Sequence, residues 1–282
     1  MSVRVALADG RDPRVLEAAR RLAELGDVTP VLVDHDLPEL PEGVEHLVPP
    51  PGESGVDYLA RVLVGSDLAA GVSGSVTTSA EVVRAGIRNL RAGGLVCAAF
   101  AIEHTSGWKT YADCVVVPEP DAVQLAEIAA TAADHHRSLF AEDPRVAMLS
   151  FSTGGSASHP RVSLVQEATR LLTAARPDLD VAGEVQYDVA IDPEVAARKA
   201  PGSSAAGRAN VLVFPSLESA NIAYKVAERV GGARALGSFV LGLSRPWVDL
   251  SRGCSTDDIV ETVLLVGRRA AHGPLATHGV AS

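Results

Sequence analysis

The chain has 282 residues, 47% of them hydrophobic but only 4% aromatic, and a formal net charge of −10 at pH 7. That length suits one large domain or two smaller ones, with a core that relies on Ala, Val and Leu. The acidic balance argues against nucleic acid, whose binding rests on clustered Lys and Arg, and no apolar run reaches the roughly 18 residues of a membrane span. The start, Met-Ser-Val-Arg-Val, lacks the apolar core of a signal peptide, and Cys97, Cys114 and Cys254 are too few and too scattered for a disulfide framework. The cytoplasm is the expected compartment. An anionic substrate then needs a local positive pocket working against the global field.

Short apolar runs alternate with helical patterns from end to end. Val3–Ala8 reads as a strand and Pro13–Leu25 as a helix, with Val15, Leu16, Ala19, Leu22 and Leu25 at helical spacing. Val31–Val33 is a second strand, Asp57–Val64 is helical, and Ser79–Leu90 is a helix with Ser79 as its expected N-cap. Leu95–Ile102 and Cys114–Val117 read as strands, followed by the long helix Asp121–Phe140 and the strand Val146–Phe151. The same rhythm continues with helix His159–Ala175, a strand around Val185–Ile191, helix Pro193–Lys199 and strand Val211–Phe214. Helix Ser219–Val230, strand Phe239–Leu243 and helix Thr256–Ala271 complete it; Gly202–Gly207 looks flexible and the tail from Gly273 frayed. Such alternation with near-continuous apolar strands predicts an α/β fold with a mainly parallel sheet.

Three segments concentrate chemistry. Asp249–Val260 brings a hydroxyl (Ser251), a guanidinium (Arg252), a glycine turn and the carboxylate of Asp258 to the approach of a helix. Ser251 and Arg252 suit an oxyanion or phosphoryl group, and Asp258 can accept a proton. Ser255 and Asp258 also stand in the S-x-x-D relation of a capping box, so a capping role competes with catalysis for Asp258. Gly74-Ser75-Val76-Thr77-Thr78-Ser79 is a hydroxyl-rich turn at a helix start, with Arg84 farther along that helix; Thr78, Ser79 and Arg84 there suit an anion. Ser152–Ser156 is a similar loop, read as an ordinary strand-to-helix connection. Ala8-Asp9-Gly10-Arg11 is too sparse for a dinucleotide fingerprint, and neither the histidines nor the cysteines show metal-ligand spacing. Asn221 and Lys225 are four apart and share a helix face.

From about Gly71 onward the chain resembles the phosphate acetyl/butyryl transferase family. The resemblance runs through Val72-Ser73-Gly74…Thr78-Ser79…Arg84, Tyr111-Ala112-Asp113-Cys114, Ala147–Thr153, Gln186-Tyr187-Asp188, Pro193–Ala197 and Ala200–Ser203. It continues through Ala209–Pro215, Asn221-Ile222-Ala223-Tyr224-Lys225 and the Asp249–Val260 stretch. Relative to the family pattern the front portion is shortened, Thr77 stands for a His, Gly154 for a Lys, and Val248 for an Asn.

The resemblance implies two α/β domains with mainly parallel sheets flanking a cleft, like the isocitrate and isopropylmalate dehydrogenases. The first is discontinuous (1–95 plus 238–282) and the second covers 96–237. It implies an enzyme that interconverts a small acyl-CoA (acetyl, propionyl or butyryl) plus phosphate with acyl phosphate plus CoA. CoA is then a substrate, with no metal or redox cofactor, and the assembly a homodimer. By motif position Asp258 is the base for the CoA thiol, Ser251 orients the thiol or steadies the tetrahedral intermediate, and Arg252 and Arg84 hold phosphate and the reactive carbonyl. Thr78, Ser79, Asn221 and Lys225 are expected substrate contacts. A relative with another acyl group or nucleophile, or a non-catalytic acyl-phosphate-binding regulatory module, also fits these residues.

Overall fold

The computed structural model describes residues 2–271, so the tail from Gly273 lies outside the described residues. In chain order the elements are β1 (Val3–Leu7), α1 (Pro13–Leu25), β2 (Val28–Val33), β3 (Glu45–Leu47), α2 (Gly55–Val62), β4 (Ala70–Ser73) and α3 (Ser79–Leu90). There follow β5 (Cys97–His104), β6 (Gly107–Ala112), α4 (Ala122–Phe140), β7 (Arg145–Leu149), α5 (Pro160–Ala175), β8 (Asp180–Val185), α6 (Tyr187–Ile191) and α7 (Pro193–Lys199). The chain closes with β9 (Val211–Val213), α8 (Leu217–Arg229), β10 (Arg234–Leu241), β11 (Trp247–Asp249) and α9 (Thr256–Ala271). The fold is mixed α/β, with strands that are mostly parallel.

Two compact units emerge, one from Met1–Val96 with Leu236–Pro274, the other centred on Cys97–Ala235. The first carries strands in the order β3-β2-β1-β4-β11-β10, parallel except where β10 meets β11. Order reverses between β1, whose chain continues to β2, and its other neighbour β4. In open α/β sheets ligands bind beyond the carboxyl ends of strands at such a switch point. The second unit carries β5-β6-β9-β7-β8, with β5 and β6 antiparallel and the rest parallel.

Local sequence explains the elements that frame the first unit's strand ends. Asp12 caps α1 by accepting from the Arg14 N–H, Pro13 opens the helix, and Gly26 closes it in the left-handed conformation. Helix α3 spans the expected Ser79–Leu90, but Thr78, not Ser79, is its N-cap, in a reciprocal box with Glu81. Trp247, fully buried, locks α3 against β11 by donating its indole N–H to the Val82 carbonyl at 2.9 Å. Its ring occupies space that only glycine leaves open, since a Cβ on Gly71 or Gly86 would fall 2.5 or 2.8 Å from it.

Two expected strands are absent. The apolar run Cys114–Val117 is a turn, because the buried carboxylate of Asp113 accepts the N–H groups of Val115, Val116 and Val117 at 2.8–3.1 Å, and that of Ala98 as well. Strand β8 ends at Val185, and the run that follows is helix α6, which buries Val189 and Ala190 on one side. The Gly202–Gly207 segment is also more anchored than its composition suggests: Ala205 and Ala206 are buried, and the Gly207 N–H bonds the Val189 carbonyl.

Candidate active site

Three loops meet at the carboxyl ends of β1, β4 and β11. Strand register sets Asp249 beside Ser73, and the Leu250 N–H continues the ladder to the Ser73 carbonyl at 2.7 Å. The approach is so close that a Cβ on Gly74 (φ 109°) would lie 2.6 Å from Asp249 Oδ1 and 2.7 Å from Leu250 N. Glycine is required there by both conformation and space.

The hydroxyl-rich turn after β4 is filled from within. Asp9, in the left-handed region at φ 63°, accepts from Ser73 Oγ (3.2 Å), Gly74 N (2.9 Å) and Thr77 Oγ1 (2.5 Å). Thr78 Oγ1 donates to Glu81 at 2.6 Å and caps α3. Of the donors expected to receive a ligand anion there, the Gly74 N–H and Thr77 hydroxyl are engaged by Asp9, and the Thr78 N–H and hydroxyl by Glu81. In the second unit the Ser152–Ser156 loop is closed the same way by Glu184, which accepts from Ser152 Oγ and Gly155 N, both at 2.8 Å, and from Gln166. Burial works to raise the Glu184 pKa, but these donors outweigh it and hold the carboxyl below its ordinary range.

Arg14 ties the loops together. Its guanidinium donates to the carbonyls of Arg252, Cys254 and Ser75, each at 2.9 Å, and to the Asp12 carboxylate at 2.6 Å. That ion pair raises the Arg14 pKa; burial acts to raise that of Asp12, but Arg14 wins and holds it low. Above this knot Ser251 and Arg252 are exposed, and the Ser251 hydroxyl accepts from the Gly253 N–H at 3.3 Å. Asp258, half-buried in the first turn of α9, completes a capping box: its Oδ2 accepts from Ser255 N (2.9 Å) and Ser255 Oγ (2.7 Å), while Ser255 Oγ accepts from Asp258 N. Burial pushes the Cys254 thiol up to about 11, which disfavours its thiolate.

Arg84 lines a cavity of about 350 Å³ together with Asp9, Asp34, Ser54, Thr77 and Arg88. Most of its acids are already matched: Arg11 pairs with Asp34, Arg88 with Asp57, and Glu81 belongs to the α3 cap. Among the described residues the side chains of Arg84 and Arg252 make no hydrogen bond or ion pair, although the Arg84 charge acts on Glu81 one turn back. Ser79 opens α3 with its hydroxyl near the buried Asp249 carboxylate.

Asn221 and Lys225 belong to the second unit. Asn221 donates to the Cys114 carbonyl at 3.1 Å, and Lys225 lies over the Tyr224 ring, 4.3 Å from its centroid, with its ammonium on the Tyr224 hydroxyl. Among the described residues no group of three or more His, Cys, Asp or Glu is arranged to hold a metal ion.

With this geometry in place, residues 55–266 match the family described as phosphate acetyl/butaryl transferase. The chain belongs to that family. It is 39% identical to the phosphate acetyltransferase of Paracoccus denitrificans, covering 93% of each chain, and 37% identical to that of Staphylococcus epidermidis, covering 95% of each. The EutD phosphotransacetylase from Staphylococcus aureus superposes with a TM-score of 0.83 at 32% identity, over 95% of this chain and 94% of that one. The Paracoccus alignment runs over 298 positions, more than this chain's 282 residues, so that relative carries residues with no counterpart here.

Three residues that organise the candidate site carry no local motif. Asp9 stands in a sequence too sparse for a dinucleotide fingerprint, yet a lone carboxylate after the first strand of a parallel sheet is well placed to organise neighbouring turns. Arg14 carries a signal of its own: a cation in the first turn of a helix opposes the helix dipole and calls for a reason. Asp249 sat in plain view two residues before Ser251, without an assigned role.

Proposed function

We propose that the protein transfers a small acyl group (acetyl, propionyl or butyryl) between CoA and phosphate, interconverting acyl-CoA plus phosphate with acyl phosphate plus CoA. The observation that supports this reading is the Arg14 knot, which ties the Ser251–Cys254 turn to the Ser75 turn that leads into α3, the helix carrying Arg84. In the direction of CoA acylation, the Asp258 carboxylate takes the thiol proton as sulfur attacks the acyl carbon, since an unassisted thiol is mostly protonated at neutral pH. Negative charge develops on the carbonyl oxygen, where the Ser251 hydroxyl and the Arg252 guanidinium donate to it. The tetrahedral intermediate collapses by breaking the carbon–oxygen bond to phosphate, which leaves with its electron pair into the field of Arg84.

The cavity beside Arg84, about 350 Å³, lies at the lower end of the range for ligand pockets, which favours a short acyl phosphate over a long one. Thr77 and Glu81 line it with Arg84, while Thr78, Ser79, Asn221 and Lys225 remain proposed substrate contacts on family position alone. No metal or redox cofactor enters this chemistry. A cytoplasmic homodimer with CoA, acyl phosphate and phosphate as its small-molecule partners completes the proposal.

Purified protein mixed with CoA and acetyl, propionyl or butyryl phosphate should form the thioester, followed by its absorbance. Folded protein without turnover on any of the three would rule the reading out.

A further inference from the structure

We propose that Asp249 is a positioning residue of the transfer site, seating the Ser251–Arg252 turn against the Gly74 turn and the start of α3. The inference rests on the acyl-transfer reading above and adds to it a residue that touches no substrate.

Asp249 is 3% exposed and ends β11, where the chain leaves the sheet for Ser251. Ser238 Oγ donates to its Oδ2 at 3.4 Å, and the Ser79 hydroxyl also favours its charged form. Its Oδ1 is buried without a hydrogen-bond partner and points at the space a Gly74 side chain would fill. A buried carboxylate with one unmatched oxygen is costly, and an apolar residue of similar size avoids the cost. Retaining the acid between two site loops is therefore explained by what it holds in place.

Every element packed around Asp249 contributes to its state. Asp9, at the end of β1, is the charged group that faces it and opposes its ionisation; Ser238 on β10 and Ser79 on α3 face it with hydroxyls; the Gly74 turn after β4 offers no side chain. Burial and Asp9 outweigh the hydroxyls and raise the carboxyl to about 6. Above that pH the carboxylate accepts from Ser238, with the Ser79 hydroxyl favouring its charge, and the turns keep the arrangement described. Below it the neutral carboxyl loses the charge-assisted bond from Ser238, and its hold on the end of β11 weakens.

The test compares kcat across pH 5–9 for the wild type, Asp249→Asn and Ser238→Ala. Wild-type kcat should fall on the acid side near pH 6. Asp249→Asn should lose that limb and drop by up to about 10²-fold at pH 8, the scale of a 1 Å misplacement, with KM for CoA changed far less. Ser238→Ala removes a donor from the charged form, so its acid limb should move to higher pH, a displacement that a purely structural role does not produce. An unmoved limb in Ser238→Ala, or wild-type kcat and pH profile in Asp249→Asn, overturns the proposal. Crystal structures of wild type and Asp249→Asn at pH 8 decide it without turnover. A displaced Ser251–Arg252 turn supports positioning and an unmoved one refutes it, so failure of the acyl-transfer assay sinks only the activity.

Discussion

In the Ser255–Asp258 box a single oxygen, Asp258 Oδ2, takes both the amide and the hydroxyl of Ser255. The cap and the proposed proton transfer fall on one carboxylate, and two variants separate them. Ser255→Ala removes the cap hydroxyl and should cost about 1 kcal/mol, seen as a lower Tm, with kcat near wild type. Asp258→Asn keeps an acceptor for the cap but loses the base, so kcat should fall about 10²-fold or more while Tm moves little. Equal activity in the Asn variant removes Asp258 from the base role.

Asp249 makes a stability prediction of its own. Its carboxyl titrates near 6 folded against an ordinary 3.8, so between those values the native state holds the proton that the unfolded chain has released. Stability contributed by the protonated form is therefore complete below about pH 4 and lost as pH rises to about 6. Asp249→Asn escapes that loss. In urea titrations its stability relative to wild type should rise between pH 4 and 7 by roughly 2–3 kcal/mol, the free energy of a shift of about two pKa units. A constant difference across that range contradicts the burial cost. The same variant is expected to be more stable and less active, as is common where an active site carries strain.

At the scale of elements, the wedge of Trp247 between Gly71 and Gly86 fixes how α3 lies on the sheet, and hence where Arg84 points. Trp247→Ala should cost about 3–5 kcal/mol in urea unfolding, and Gly86→Ala about 1–3 kcal/mol through overpacking. Restored stability in Gly86→Ala on pairing with Trp247→Phe would show that the two share one space. This wedge was invisible in the sequence, where Gly71, Gly86 and Trp247 are unconnected letters. Long apolar runs such as Val3–Leu7 and Arg145–Leu149 were legible because burial on both faces leaves a continuous signature. Three-residue strands such as β3 and β11 are too short to show a period, and the apolar Cys114–Val117 run has the look of a strand while its fate is decided by Asp113. The same contrast separates the site residues. Ser251, Arg252 and Asp258 lie within eight residues of each other and could be read together. Asp9 and Arg14 act on partners up to 68 and 240 residues away, a distance no local pattern spans.

For the whole molecule, a net charge of −10 opposes the approach of CoA and acyl phosphate, both anions, toward a site with few basic groups. Raising ionic strength from about 10 to 150 mM shortens the Debye length from about 30 to 8 Å, so kcat/KM should first rise. It should fall again at higher salt as the contacts of Arg84 and Arg252 are screened. A monotonic decline from the lowest salt would mean that the local guanidinium field reaches beyond the global charge. The turns that close on Asp9 in the first unit and Glu184 in the second carry a further meaning. A chain that supplies its own counter-ions to such turns needs no phosphate to order them. The order of both turns is therefore written into the chain's own carboxylates.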